Sequence, residues 1–188
     1  MQAMAGQVER EIPAIQGGKL VLVLVDYKAY QTASVRLLSQ LVNSKKECGI
    51  YITVNRPYAN LVSNFNDNGV DASKLFFIDC VTQPAGGNPE RKENCLFIGS
   101  PSRLSDLGLA LDEVITSFKQ PSKFLVLDSV STLLVYHSPE TTLRFAHFLA
   151  GRLRVHGFDG IFLTVQDDTD EKLVKIMSQF CDSVIRWS

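Results

Sequence analysis

At 188 residues, 45% hydrophobic and 21% charged, the chain is long enough for one domain with a substantial core. A net charge of −1 gives no global electrostatic reason to bind nucleic acid or an anionic membrane. No apolar run reaches the roughly 20 residues of a membrane span, and the N-terminal MQAMAGQVEREIPAI lacks the basic-then-apolar order of a signal peptide.

The four cysteines, Cys48, Cys80, Cys95 and Cys181, show no zinc-ligand spacing. They read as reduced and structural, and a cytoplasmic location is expected. Residues 1–18 read as a loose N-terminal arm, with Gly17-Gly18 turning into a single domain over 19–188.

Lys19–Val25 (KLVLVLV) is apolar almost throughout, as in a strand covered on both faces of a parallel sheet. Val35, Leu38, Leu41 and Val42 recur at helical spacing and predict a helix over 32–46. GIYITV (49–54) predicts a second strand. The next helix has Pro57 suited to its first turn, Leu61, Val62 and Phe65 on its apolar face, and Gly69 at its end. KLFFIDC (74–80) predicts a third strand. Residues 82–94, TQPAGGNPERKEN, concentrate turn formers and charge and predict an exposed loop.

Cys95–Gly99 is expected to be a short edge strand. A serine cap in Ser100-Pro101-Ser102 leads into a helix whose 3-4 period runs from Leu104 to Phe118. KFLVLD (123–128) is another buried strand, followed by SVSTLLVYHS. Ser138-Pro139-Glu140 supplies cap, first-turn proline and first-turn acid for a long helix closed by Gly157. DGIFLTV (159–165), a helix over about 169–180 and a strand over 183–187 complete the chain. This alternation predicts an α/β fold, a mostly parallel sheet sandwiched between α-helices. The last elements are expected to be the ones open to antiparallel pairing.

GIYITVNRPYANLVSNFNDNGVDASKLFFIDC, FLVLDSVSTLL and GFDGIFLTVQ, in that order, resemble the KaiC branch of the RecA superfamily. These are archaeal and bacterial RecA-like P-loop ATPases, and the resemblance spans about 19–187. It implies a RecA-like fold, with ATP and Mg²⁺ as the cofactors of the intact family. It also implies that Asp128 stands where the Walker B aspartate holds the magnesium water shell.

The chemistry of that family is largely missing. A Walker A loop needs glycines to close backbone N–H groups on phosphate, a lysine to neutralise charge, and a hydroxyl for Mg²⁺. The best superposition is Val25-Asp26-Tyr27-Lys28-Ala29-Tyr30-Gln31-Thr32. Val25 and Tyr30 fall at the glycines and Gln31 at the lysine; Thr32 alone matches. Tyr30 disfavours φ > 0 and is expected to fill the phosphate space. Lys28 is the one candidate substitute for the lysine, and Thr32 with Asp128 would hold metal only if Mg-nucleotide binds. Where the family has acidic residues that polarise the attacking water, this chain has Asn55 and Arg56, and neither accepts that proton.

Other chemistry is sparse. His137, His147 and His156 form no metal spacing, Ser129 and Ser131 have no evident base, and Asp167, Asp168, Asp170 and Glu171 read as an acidic helix start. Arg144, Arg152 and Arg154 make one helix locally basic, a candidate contact for nucleic acid, phosphate or a neighbouring subunit. The leading expectation is a catalytically degenerate domain acting in regulation or assembly through a protein partner or self-association. No cofactor is expected. The alternatives are a weak ATP-binding protein or ATPase completed by a neighbouring subunit, and a recombinase-type nucleic-acid-binding module.

Overall fold

The computed structural model describes residues 15, 17–166 and 171–187. The expected arm therefore falls largely outside the described residues, as do Asp167, Asp168 and Asp170 of the acidic run. The strands are β1 (Leu20–Val25), β2 (Cys48–Thr53), β3 (Leu75–Asp79), β4 (Cys95–Phe97), β5 (Lys123–Asp128), β6 (Asp159–Val165) and β7 (Ser183–Trp187). The helices described are α1 (Tyr30–Leu38), α2 (Tyr58–Asp67), α3 (Leu104–Ser117), α4 (Val130–Tyr136), α5 (Pro139–His156) and α6 (Glu171–Met177).

The strands form one seven-stranded sheet in the order β4-β3-β2-β5-β6-β1-β7, and every pairing is parallel. The expected antiparallel ending is thus corrected: Val21 to Val25 pair in parallel with Ser183 to Trp187. After β6 the chain passes through α6, a crossover that returns β7 to the end of the sheet where β1 begins.

Successive side chains on a strand point to opposite faces. Leu20, Leu22 and Leu24 therefore pack with residues of α3, α4, α5 and α6, such as Leu107, Leu133, Leu149 and Leu173. Val21, Val23 and Val25 pack on the other face with Leu37, Leu38, Leu61 and Phe65 of α1 and α2, and Ile15 joins them. Burial on both faces is why β1 carries no polar alternation.

Several boundaries depart from expectation. α1 begins two residues early, at Tyr30, and continues as a π-helical segment, Ser39–Ser44. The expected serine cap of α3 is absent: Arg103 takes that position without a side-chain cap bond, and the Ser100 and Ser102 hydroxyls bond one another at 2.6 Å. Pro57 precedes α2 as its cap residue rather than entering its first turn. α4 occupies the stretch after β5 to which periodicity assigns no element. Ser129 caps it, accepting from the Thr132 N–H at 3.3 Å. α5 follows expectation, with Ser138 accepting from the Thr141 N–H at 3.3 Å and Gly157 closing it at φ +68.

Neighbouring strands β2 and β5 send the chain to opposite faces, into α2 and α4. Such a divergence opens a crevice beyond the carboxyl ends of the strands, the usual ligand position in an open parallel sheet.

Candidate functional site

Asp128 ends β5 at that crevice and is 0% exposed. Five apolar or stem-buried positions before it carry the strand through the core, so its carboxylate needs partners inside the protein. Tyr30, the first residue of α1, donates its phenol hydrogen to Oδ1. Tyr51, from the middle of β2, donates to Oδ2. Asn55 Nδ2 reaches Oδ1 at 3.3 Å, and the Arg56 guanidinium stands 4.0 Å from Oδ2. The peptide bond between Asp128 and Ser129 is cis.

Further hydrogen bonds fix these donors. Asn55 Nδ2 also donates to the Tyr30 hydroxyl at 2.6 Å and to Ser129 Oγ at 3.3 Å. Its Oδ1 accepts from the Thr132 hydroxyl. Arg56 donates to buried Ser34 Oγ at 3.2 Å. The turn that presents Asn55 and Arg56 is held by Thr53, whose hydroxyl donates to the Arg56 carbonyl at 2.7 Å and accepts from the Arg56 N–H at 3.2 Å. Asn-Arg-Pro is therefore turned inward, with both side chains half-buried.

Burial pushes the Asp128 carboxyl up to about 7. The two phenols, the amide and the guanidinium favour the ionised form and act against that push. Burial likewise raises the Tyr51 phenol above its ordinary value, with Arg56 pulling it back.

The turn between β1 and α1 is built by Asp26. Its side chain accepts from the Lys28 N–H at 2.8 Å and its carbonyl from the Ala29 N–H at 2.9 Å, an Asx-type turn. Lys28 is exposed, with its ammonium 5.5 Å from the centre of the exposed Tyr27 ring. Gln31 and Thr32 are exposed too, and the Thr32 hydroxyl donates to the Ala29 carbonyl at 2.8 Å. Of the residues singled out from the sequence, the fold thus joins Tyr30, Asn55 and Arg56 to Asp128. It leaves Lys28, Gln31 and Thr32 on the exposed side of the turn. Tyr30 sits in regular helix, so its backbone is not in the left-handed region expected to penalise it.

The α5 arginines stand apart from this cluster. Arg144 lies 3.7 Å from Glu140, Arg152 2.7 Å from Asp112 of α3, and Arg154 3.2 Å from Asp182. Among the described residues no group of three or more His, Cys, Asp or Glu is placed to hold a metal ion.

Sequence reasoning missed Tyr51, Ser34 and Thr132. Tyr51 carried a signal: a phenol in a strand buried on both faces needs an internal partner for its hydroxyl. It also missed Asp79, buried at the end of β3. Asp79 accepts from the N–H groups of Tyr58, Val81 and Thr82 at 2.8, 2.6 and 2.9 Å. One carboxylate so anchors both the start of α2 and the loop that leaves β3. Beside the Asp128 cluster, between Tyr30, the turn at Asn55 and α4, lies a cleft of about 420 Å³.

The fold has solved counterparts. The uncharacterized protein PH0321 from Pyrococcus horikoshii, crystallised in complex with an unknown peptide, matches at a TM-score of 0.73 and 16% identity. That match covers 96% of this chain and 82% of that one. A second protein of that organism, PH0250 from Pyrococcus horikoshii OT3, matches at a TM-score of 0.66 and 13% identity, over 96% of this chain and 87% of that one. Likenesses at these identities show the fold, a RecA-like α/β sandwich. No curated protein matches the sequence. The profile of a family of unknown function, DUF7504, matches residues 18–187, and the chain belongs to that family.

Proposed function

We propose that this domain is a RecA/KaiC-like fold turned from nucleotide hydrolysis to protein binding, acting in regulation or assembly. The observation that carries the reading is the bond from the Tyr30 phenol to Asp128. In the superposition on a P-loop, Tyr30 stands at a glycine of the phosphate cradle and Asp128 at the aspartate facing the magnesium water shell. With Tyr51, Asn55 and Arg56 also on that carboxylate, its acceptor positions are filled by the protein.

The residues do not fit a magnesium nucleotide. The loop has no glycine, Gln31 stands where the lysine belongs, and the Thr32 hydroxyl is engaged by Ala29. Arg56 presents a guanidinium where a water-polarising carboxylate would be. Losing one preorganised donor in such a site typically costs about two to three orders of magnitude in rate, and here several are lost together. The peptide found with PH0321, a protein of the same fold, is the further support for a protein partner.

Calorimetry with ATP and Mg²⁺ at millimolar nucleotide, on the wild type and Asp128→Asn, tests the reading. No heat of binding in either is the expected result. Saturable binding that Asp128→Asn abolishes would overturn it in favour of a nucleotide sensor or an ATPase completed by a neighbouring subunit.

A further inference from the structure

The cleft beside Asp128 has two kinds of wall. Its polar wall is Tyr30, Asn55, Ser131 and Thr132. The hydrogen-bonding atoms of all four are engaged within the protein. The Tyr30 hydroxyl donates to Asp128 and accepts from Asn55. The Asn55 carbonyl oxygen accepts from Thr132. Ser131 Oγ accepts from the Val165 N–H at 3.2 Å and bonds Ser129 Oγ at 3.0 Å. The other wall is aliphatic: Leu134, Val135 and Val165.

Among the described residues no formally charged side chain lines the cleft, and Arg56, beside its Asn55 wall, is turned to Asp128 and Ser34. A phosphate or carboxylate entering it would lose its hydration and meet no cation among these lining residues, whose side-chain donors are already engaged. An apolar group would gain contact with the aliphatic wall and the Tyr30 ring without stranding any polar atom. The volume, about 420 Å³, is in the range of sites that bury a ligand group. The apolar surface continues outward from the cleft, for Val135 is 77% exposed and the adjoining Tyr136 46% exposed.

We infer that this cleft is the docking pocket of a protein partner, and that it takes an uncharged peptide segment inserting an aliphatic or aromatic side chain against Leu134, Val135 and Val165. The inference rests on the reading that the domain works by binding protein. It adds where the partner docks and what chemistry it presents. An anchor of this kind in a pocket, with engaged polar groups at its base, is how a few residues come to dominate an interface.

The test is selection of a phage-displayed library of random 12-residue peptides on the full chain, followed by titration of the synthetic winners. The titrations compare wild type, Val135→Asp and, as a control at another exposed aliphatic site, Val155→Asp (78% exposed). Both positions are solvent-facing, so thermal melts of the variants should match the wild type. The expected result is winners sharing an uncharged apolar anchor, a loss of at least about tenfold with Val135→Asp, equivalent to about 1.4 kcal/mol, and no loss with Val155→Asp. Winners that bind Val135→Asp as tightly as wild type would overturn the location while leaving the protein-binding reading standing. Winners anchored by charged side chains would overturn the ligand class. A library yielding nothing above background on the wild type would overturn both.

Discussion

Asp128 brings a carboxylate to a fully buried place, and the four groups around it respond. Asp128→Ala would leave Tyr30, Tyr51, Asn55 and Arg56 facing an empty acceptor site. Removing one member of such a buried charged cluster costs about 3–5 kcal/mol, so a fall of that size is expected in urea unfolding. Asp128→Asn keeps an acceptor oxygen and should lose less. The pH dependence follows from the raised carboxyl. Between the ordinary aspartate value of 3.8 and about 7, the folded state holds a proton that the unfolded chain has released. Stability then falls as pH rises through that window, at up to about 1.4 kcal/mol per pH unit, and levels off above it. The difference between wild type and Asp128→Asn in unfolding free energy, measured from pH 4 to 8, isolates this contribution. A flat difference would mean that the phenols and Arg56 have cancelled the effect of burial.

Elements here depend on close approaches as well as on caps. A Cβ on Gly49 of β2 would stand 2.2 Å from the Phe124 ring of β5, between two central strands that cannot part. Gly49→Ala is expected to destabilise the protein by about 1–3 kcal/mol, as overpacking does, and a chemical denaturation midpoint reads it directly. At the start of α5, Ser138→Ala removes the cap bond to Thr141 and should cost about 1 kcal/mol. The α5 arginines behave differently, because each already has a carboxylate within the chain. Single alanine substitutions of the exposed pairs should change stability by about 1 kcal/mol or less.

At the scale of the whole molecule, the described residues form a single parallel sheet with helices on both faces. A ligand that binds only the folded state raises its melting temperature through mass action. Millimolar ATP with Mg²⁺ is therefore expected to leave the thermal midpoint unmoved, and a rise of several degrees would contradict the filled-site reading. The net charge of −1 argues at the same scale. Duplex DNA should give no shift at 50 mM salt, whereas binding that weakens steeply with added salt would revive the nucleic-acid alternative.

The sequence by itself determined the layering. Unbroken apolar runs such as KLVLVLV and KFLVLD, separated by stretches at helical spacing, have no stable solution but a buried parallel sheet between helices. It also placed Asp128 at a strand end, and a resemblance to RecA-like ATPases singled out Tyr30, Gln31, Asn55 and Arg56. Only the tertiary structure decided what those residues do. Tyr30 and Asp128 lie 98 positions apart in the chain, and Tyr51 and Asp128 77 apart. Their meeting depends on strand order, on β2 pairing with β5, and on the helix at Tyr30 starting two residues earlier than expected. The direction of β7 was hidden for a related reason. A strand's period of two is the same whichever way it runs, so the crossover through α6, rather than any pattern within Ser183–Trp187, set it parallel to β1.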